Sequence, residues 1–297
     1  MPEDQIPDVT PELPSATWRI LLGVLQRLPQ AALSRGLGQI ADVRIPRSLR
    51  RSVIGTFARS VGINVAEAEK PLEEYECINQ FFVRRLKPGL RSWPVDPSVV
   101  ASPVDGIVGQ LGPISGGTLI QAKGRRYAAA TLLNSQEEAA DYTDGSFITI
   151  YLSPRHYHRI HTPIAGTIPF ARHVPGALLP VNQPAVTHIP DLFARNERVL
   201  AAIDSVVGRI ALVAVGAYNV GRISAAFDPD WGPWVSNVQR AQTQTRSYDP
   251  PKILRTGDEI MAFHLGSTVI LLFQPGVRLE RLMPGEEVRV GQPIARG

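Results

Sequence analysis

The sequence predicts an α+β fold in which a β-rich domain, sandwich-like or barrel-like, follows an N-terminal helical cap. After Pro94, short apolar runs alternate with Gly, Pro, Asn and Asp, which is typical of strands of about four to eight residues joined by turns. Between Ser15 and Ile40, apolar residues recur at helical spacing. The chain has 297 residues, of which 44% are hydrophobic, so it can bury a sizeable core.

The predicted domains follow these changes along the chain. Residues 1–14 are acidic and proline-rich, which predicts a mobile arm. Residues 15–94 make up the helical region, and residues 95–297 make up the β-rich domain. No stretch reaches about eighteen consecutive apolar residues, so we expect no transmembrane helix. We also expect no secretory signal.

One apolar stripe in the helical region suggests a helix that contacts a membrane. Ser15 is a candidate N-cap, and Pro29 ends or kinks the predicted helix. The stripe consists of Trp18, Leu21, Leu22 and Leu25. Two interpretations stay open: the helix packs on the core, or it lies in the interface of an anionic membrane with arginines at the headgroups.

The charge and the cysteine content indicate which partners and which redox compartment suit the protein. The net charge is +4, and lysine occupies only four positions, so arginine supplies most of the basic residues. An arginine-rich surface suits phosphate oxygens of lipid or nucleic acid, although an ordinary soluble surface fits equally well. The single cysteine, Cys77, excludes internal disulfides and fits a reducing compartment.

The most informative motif is the Gly266–Ser267 step before the apolar run 269–273. The Ser267 hydroxyl follows the Gly266 carbonyl directly, so an activated hydroxyl could attack that carbonyl and cut the chain. The alternative interpretation is a turn before a core strand, with Ser267 bonded to local backbone.

A histidine tract supplies candidate bases for such chemistry. Three of the six histidines, His156, His158 and His161, lie within one short segment. If the segment is extended, His156 and His158 point to one face, and His161 joins them only if the chain turns before Pro163. A metal site is the alternative, but further ligands are not evident, so we predict none.

Asp105 supplies a carboxylate that could orient the candidate base. Asp105 precedes Gly106 and an apolar run, which by itself predicts a turn. Together with His161 and Ser267, however, Asp105 could form an acid–base–nucleophile relay.

These motifs, SPVDG, YHRIH and LGST in this order, resemble the phosphatidylserine decarboxylase family in its long bacterial form. FFVRRLKPGLR, QAKGRRY, PGALLPVN, LFARNERV and VGAYNVGRI extend the resemblance over about residues 75–275. The resemblance implies that Asp105, His161 and Ser267 form a self-processing triad and that His158 serves decarboxylation. His156 stands where several family members have an aspartate, and no role is carried over to it.

The resemblance also implies an activity. Cleavage between Gly266 and Ser267 would convert Ser267 into a pyruvoyl cofactor, whose ketone condenses with a substrate amine and accepts electrons as carbon dioxide leaves. The implied reaction turns phosphatidylserine into phosphatidylethanolamine. The implied setting is peripheral, on the anionic cytoplasmic face of the inner membrane, as a homodimer without nucleic acid.

Two other function classes stay open at this point. The starts and ends of the β-rich domain also resemble lipoyl-type and sugar-phosphotransfer sandwich domains, so a non-enzymatic binding module is possible, with Ser267 unprocessed. A self-cleaving hydrolase that stops at the ester would cleave without forming a ketone.

Overall fold

The computed structural model describes residues 38–122, 124–217, 222–231, 234–235, 242–264 and 267–297. The predicted arm, the predicted stripe at 18–25 and Gly266 lie outside these residues. No helix in the described ranges is long and apolar enough to cross a membrane.

The helices are short apart from the first. Helix α1 ends where Gly62 adopts a left-handed conformation, with φ of 77°, and its N–H bonds the carbonyls of Ala58 and Arg59. The helices are α1 Arg47–Val61, α2 Ile78–Phe82, α3 Ala129–Leu133, α4 Gln136–Ala140, α5 Gln183–His188 and α6 Leu192–Arg195. Short 3₁₀ turns span Val65–Glu67, Leu72–Glu74 and Pro229–Trp231.

The strands of the described residues all lie after residue 98. The first nine are β1 Val99–Ala101, β2 Gly106–Pro113, β3 Thr118–Ala122, β4 Arg125–Ala128, β5 Ser146–Leu152, β6 Arg159–His161, β7 Gly166–Val174, β8 Arg198–Ser205 and β9 Gly208–Val215. The rest are β10 Arg222–Ala225, β11 Trp234–Val235, β12 Gln244–Leu254, β13 Glu259–Phe263, β14 Ser267–Phe273, β15 Arg278–Leu279, β16 Glu287–Val288 and β17 Pro293–Arg296.

Antiparallel sheets dominate the architecture. The largest has eight strands in the order β12-β7-β8-β9-β14-β5-β2-β16. Smaller sheets have the orders β11-β10-β13-β6, β1-β17-β15 and β3-β4. The predicted β-rich α+β fold is confirmed, and the strands of the described residues form no closed barrel.

Two hydrophobic cores support these elements. The large core includes residues 269–273 of strand β14. All seven residues of this strand are buried, and β5 and β9 pair with it on either side. Burial on both faces explains its continuous apolar run. The small core packs α1 against the segment that leads to α2, and it consists of Ile54, Ala58, Ile63, Ala68, Tyr75 and Phe81.

Two local predictions differ from the structure. The residue pattern predicts one short helix over 132–140, but the chain forms α3 and α4, because Asn134 turns left-handed with φ of 54° and Ser135 caps the next helix. The pattern also predicts a loop over 195–198, but Arg195 ends α6 and Arg198 begins β8. Only two residues connect these elements, since the buried Asn196 side chain bonds neighbouring backbone.

Candidate active site

The three sequence motifs meet at one end of strands β5 and β14. Ser267, the first residue of β14, pairs with Leu152 at the end of β5. On the other side of β5, Ile107 pairs with Tyr151, which places Asp105 just beyond the same end. The segment that follows β5 carries the histidine tract. Its His158 carbonyl accepts a hydrogen bond of 2.9 Å from the N–H of Phe263, the last residue of β13.

Ser267 is a buried hydroxyl without a partner. Its residue is completely buried, and Oγ makes no hydrogen bond. An unpaired buried polar atom costs about 1–3 kcal/mol. The hydrogen bond to local backbone that the alternative interpretation of Ser267 expects is therefore not formed. A hydroxyl held in this way is available for chemistry.

His158 is the most deeply buried histidine of the tract. Its ring packs on Phe82 with centroids 4.1 Å apart, and Nδ1 lies 2.9 Å from the carbonyl of His156. A carbonyl only accepts, so Nδ1 carries the proton and Nε2 is an unprotonated acceptor. Nε2 has no partner. Burial lowers the pKa of His158 to about 3, so the imidazole is neutral at neutral pH.

His161 has the same tautomer but is engaged at both nitrogens. Nδ1 donates to the Gly257 carbonyl at 2.8 Å, and Nε2 accepts from the Tyr157 hydroxyl at 2.9 Å. Burial lowers the pKa of His161, so it too is a neutral imidazole with the lone pair on Nε2. That lone pair is what a general base needs.

Asp105 is held by donors other than the histidine. Arg91 grips the carboxylate with Nε at 3.1 Å from Oδ1 and with Nη2 on Oδ2. The N–H of Val290 donates to Oδ1 at 2.8 Å. Within the described residues, no hydrogen bond joins Asp105, His161 and Ser267 into the predicted relay. The charge of Asp105 still acts on His161, where it favours the protonated ring and partly opposes the lowering of the pKa by burial.

His156 does not lie in an extended segment, so the condition under which His156 and His158 would point to one face is not met. Its N–H bonds the Ser153 carbonyl at 3.0 Å, and its Nδ1 accepts from the Ser153 N–H at 3.0 Å, so the chain turns here. Nε2 lies 3.8 Å from Oε1 of Glu287. The turn therefore comes before His158, and residues Arg159–His161 form strand β6. No group of metal-ligating side chains is found within the described ranges.

Several site residues were not singled out from the sequence. The motifs quoted above contain three of them, Arg84, Arg91 and Tyr157. Their positions in the sequence do not indicate that Arg91 bonds Asp105 or that Tyr157 bonds His161. Arg91 also lies 3.5 Å from Glu67, so one guanidinium joins the first part of the chain to the Asp105 carboxylate.

Comparison with known proteins identifies the family of this chain. The model of the phosphatidylserine decarboxylase family matches residues 78–296. This chain belongs to the phosphatidylserine decarboxylase family. A relative from Anaeromyxobacter sp. (strain K) is 44% identical over 278 residues, which are 93% of this chain and 98% of the relative. Relatives from Bordetella avium (strain 197N), 43% identical over 87% of both chains, and Brevibacillus brevis (strain 47 / JCM 6285 / NBRC 100599), 40% identical over 93% of this chain and 98% of the relative, are similar too.

Each of these phosphatidylserine decarboxylase relatives is named a phosphatidylserine decarboxylase proenzyme. The family match begins at the first residue of α2 and includes Asp105, the histidine tract and Ser267. The predicted family membership is confirmed.

Proposed function

We propose that this chain is a self-processing decarboxylase that converts phosphatidylserine into phosphatidylethanolamine and carbon dioxide. The observation that carries the proposal is a pair of buried, unpartnered reactive atoms, Ser267 Oγ and His158 Nε2, where the family motifs converge. The first atom suits a nucleophile and the second suits a proton acceptor. A non-enzymatic binding module has no need to keep either atom unpaired.

Self-processing uses the chain's own groups. His161 Nε2 takes the proton of Ser267 Oγ, which attacks the carbonyl of Gly266, and the amide nitrogen of Ser267 leaves. For this step His161 must exchange its Tyr157 partner for Ser267. Asp105 supports the step by its charge, since a nearby carboxylate stabilises the imidazolium that forms. The result is an ester between Gly266 and Oγ of Ser267, which still joins the chain. Loss of the Cα proton of Ser267 breaks its Cβ–Oγ bond and releases residues 1–266 with a carboxylate terminus. Water then displaces the amino group of residue 267 as ammonia, which leaves residues 267–297 with a ketone at the new terminus.

The residues around Ser267 fit a pyruvoyl group formed from it. The position is desolvated, and an unpaired imidazole nitrogen belongs to the same buried site. When formed, the group supplies an electron sink for the carbon that loses carbon dioxide. Nε2 of His158 begins unprotonated, so it first accepts the proton that the substrate ammonium must lose, and it then returns that proton to the substrate carbon after carbon dioxide has left. The tautomer therefore makes His158 a proton acceptor before it is a donor.

Intact mass and a denaturing gel test the proposal. The wild-type chain should separate into two fragments, the smaller one starting with a pyruvoyl group, and Ser267→Ala should stay whole. Thr268→Ala is the matched control, because the Thr268 hydroxyl is also buried and unpaired but follows the wrong peptide bond. It should cleave normally. His158→Gln should cleave but release no carbon dioxide.

Each alternative has its own result. A Ser267→Ala protein that splits would overturn the mechanism. A wild-type chain that stays whole favours the binding module, and cleavage that leaves an N-terminal serine favours the hydrolase.

The setting we propose is the anionic cytoplasmic face of the inner membrane. Helix α1 and the residues before it expose large apolar side chains, namely Ile40, Val43, Leu49 and Val53. Residues 43–66 contain five arginines and no carboxylate. Exposed apolar groups among cations are typical of a surface that binds anionic lipid. The homodimer and the absence of nucleic acid stay predictions from the family resemblance.

A further inference from the structure

Arg84 is a buried cation without a partner. The residue is 3% exposed, and its Nε and Nη1 make no hydrogen bond. The ring of Phe81 lies close, with its centroid 5.4 Å from Cζ. The carboxylates of Glu67 and Asp105 act on the Arg84 charge, but neither of them forms a hydrogen bond with its Nε or Nη1. A buried charge left unpaired destabilises a fold, so its presence calls for a ligand.

The other deeply buried arginine shows how this chain satisfies such a group. Arg198 is also 3% exposed, but it donates hydrogen bonds of 2.6–2.9 Å to four backbone carbonyls. These carbonyls satisfy the donors of the Arg198 guanidinium within the fold. Arg84 has no equivalent set of acceptors, so a structural role of the same kind does not account for it.

The position of Arg84 places its charge at the active site. Phe82, two residues earlier, packs on the His158 ring. The Val83 carbonyl accepts a hydrogen bond of 2.8 Å from Arg159 Nε, so the backbone next to Arg84 is fixed to the residue that follows His158. The Arg84 charge contributes to the lowered pKa of His158, which places the two groups within electrostatic reach.

We propose that Arg84 binds the phosphodiester oxyanion of the substrate headgroup. The inference rests on the proposed function, which supplies a substrate with two anionic groups, a phosphodiester and a carboxylate. A cation on the carboxylate would stabilise the ground state more than the transition state, because that charge leaves during the reaction. The phosphodiester keeps its charge throughout, so binding it positions the substrate without opposing decarboxylation.

The side chain suits this ligand. A guanidinium presents planar edges of paired donors that match two phosphate oxygens. Nε and Nη1 of Arg84 belong to the two different edges, and both are unpaired. Lysine retains the charge but not the planar edges. Methionine retains the length and removes the charge.

The test compares processed wild-type enzyme with Arg84→Met and Arg84→Lys. We expect Arg84→Met to self-process and to melt no lower than wild type, since it removes an unpaired buried charge. Its KM for phosphatidylserine in mixed micelles should rise about a hundredfold, the scale of losing a buried polar contact to substrate, with a smaller change in kcat. Arg84→Lys should fall between the two. Arg85→Met, at the neighbouring and largely exposed arginine, is the control and should change KM little.

Two inhibitors identify the group that Arg84 binds. Glycerophosphoethanolamine carries the phosphodiester without the carboxylate, and L-serine carries the carboxylate without the phosphodiester. We expect Arg84→Met to lose inhibition by the first and to retain inhibition by the second. Loss of serine inhibition alone would overturn the phosphodiester assignment.

The remaining outcomes are distinct. An unchanged KM in Arg84→Met overturns the proposal, and so does failure of both variants to self-process, because Arg84 would then serve the fold or the cleavage step. Wild-type enzyme that cleaves but releases no carbon dioxide contradicts the proposed function instead.

Discussion

At the residue scale, unpaired buried polar atoms gather around the candidate site. Ser267 Oγ, His158 Nε2 and two nitrogens of Arg84 lack partners. Asn196 shows that an equally buried polar group can be fully paired, by the backbone of Leu179 and Gly216. Each unpaired group costs about 1–3 kcal/mol, so the atoms at the candidate site lower the stability of the fold, as expected of groups kept for reaction and binding.

His158→Gln should make the fold less sensitive to acid. Burial lowers the pKa of His158 from 6.5 to about 3, so below pH 6.5 the unfolded chain takes up a proton that the folded chain refuses. Stability therefore falls as the pH drops from 6.5 toward 3. The linked loss is about 2 kcal/mol at about pH 5.

Urea unfolding at about pH 7 and about pH 5 measures this loss. A Ser267→Ala background keeps a single chain. The difference in unfolding free energy between the two pH values should be smaller for His158→Gln than for the background protein. His188→Gln is the control, because His188 Nδ1 also bonds a backbone carbonyl but its residue is only partly buried. An equal acid loss with and without His158 contradicts the burial argument.

At the element scale, the turn between β12 and β13 fixes the His161 ring. Gly257 in this turn has a positive φ of 88°, and its carbonyl accepts a hydrogen bond from the N–H of His161 Nδ1. The ring of Trp93 packs against Gly257, so an added Cβ would lie 2.5 Å from a ring atom. The turn, Trp93 and His161 therefore form one packed unit.

Gly257→Ala should slow self-cleavage at least about tenfold, because displacing the carbonyl by a fraction of an ångström misaligns the base. A time course on a denaturing gel measures the rate. Gly276→Ala is matched to it, since Gly276 has a φ of 105° but open space around it. The control therefore carries the backbone strain alone. Equal rates for both variants would mean that the turn does not position His161.

At the scale of the whole molecule, the basic apolar surface around α1 should bind membranes. Leu49→Glu with Val53→Glu places charge on two exposed apolar positions four residues apart, and we expect flotation with anionic vesicles to fall severalfold. Self-cleavage should stay intact, since neither side chain belongs to the small core. Val206→Glu, at a position 75% exposed in the β8–β9 hairpin, is the control.

Salt and a deletion extend this test. About 1 M salt shortens the screening length to about 3 Å and should weaken vesicle binding of the full chain. Removing residues 1–28, which contain the predicted apolar stripe, should weaken vesicle binding relative to the full chain without blocking cleavage. Unchanged flotation in all variants would mean that the membrane contact lies elsewhere. Loss of cleavage after the deletion would favour packing of the helix predicted from Ser15 on the core.

The sequence by itself determined the family, the β-rich α+β fold, strand β14 and the reactive candidates Ser267 and His158. These rest on local signals: an apolar run long enough for a buried strand, turn residues between runs, and motifs whose chemistry lies in adjacent residues. Such signals can be read directly from the sequence, because each depends on residues only a few positions apart.

Only the tertiary structure decided which groups meet. Ser267 faces Leu152 through the register of a sheet, Asp105 bonds Arg91 and not His161, and the buried charge of Arg84 has no partner. These contacts join residues far apart in sequence, and they depend on strand order and on which atoms are left desolvated. A pattern of residue types contains neither quantity, because register and burial emerge only when the whole core is packed.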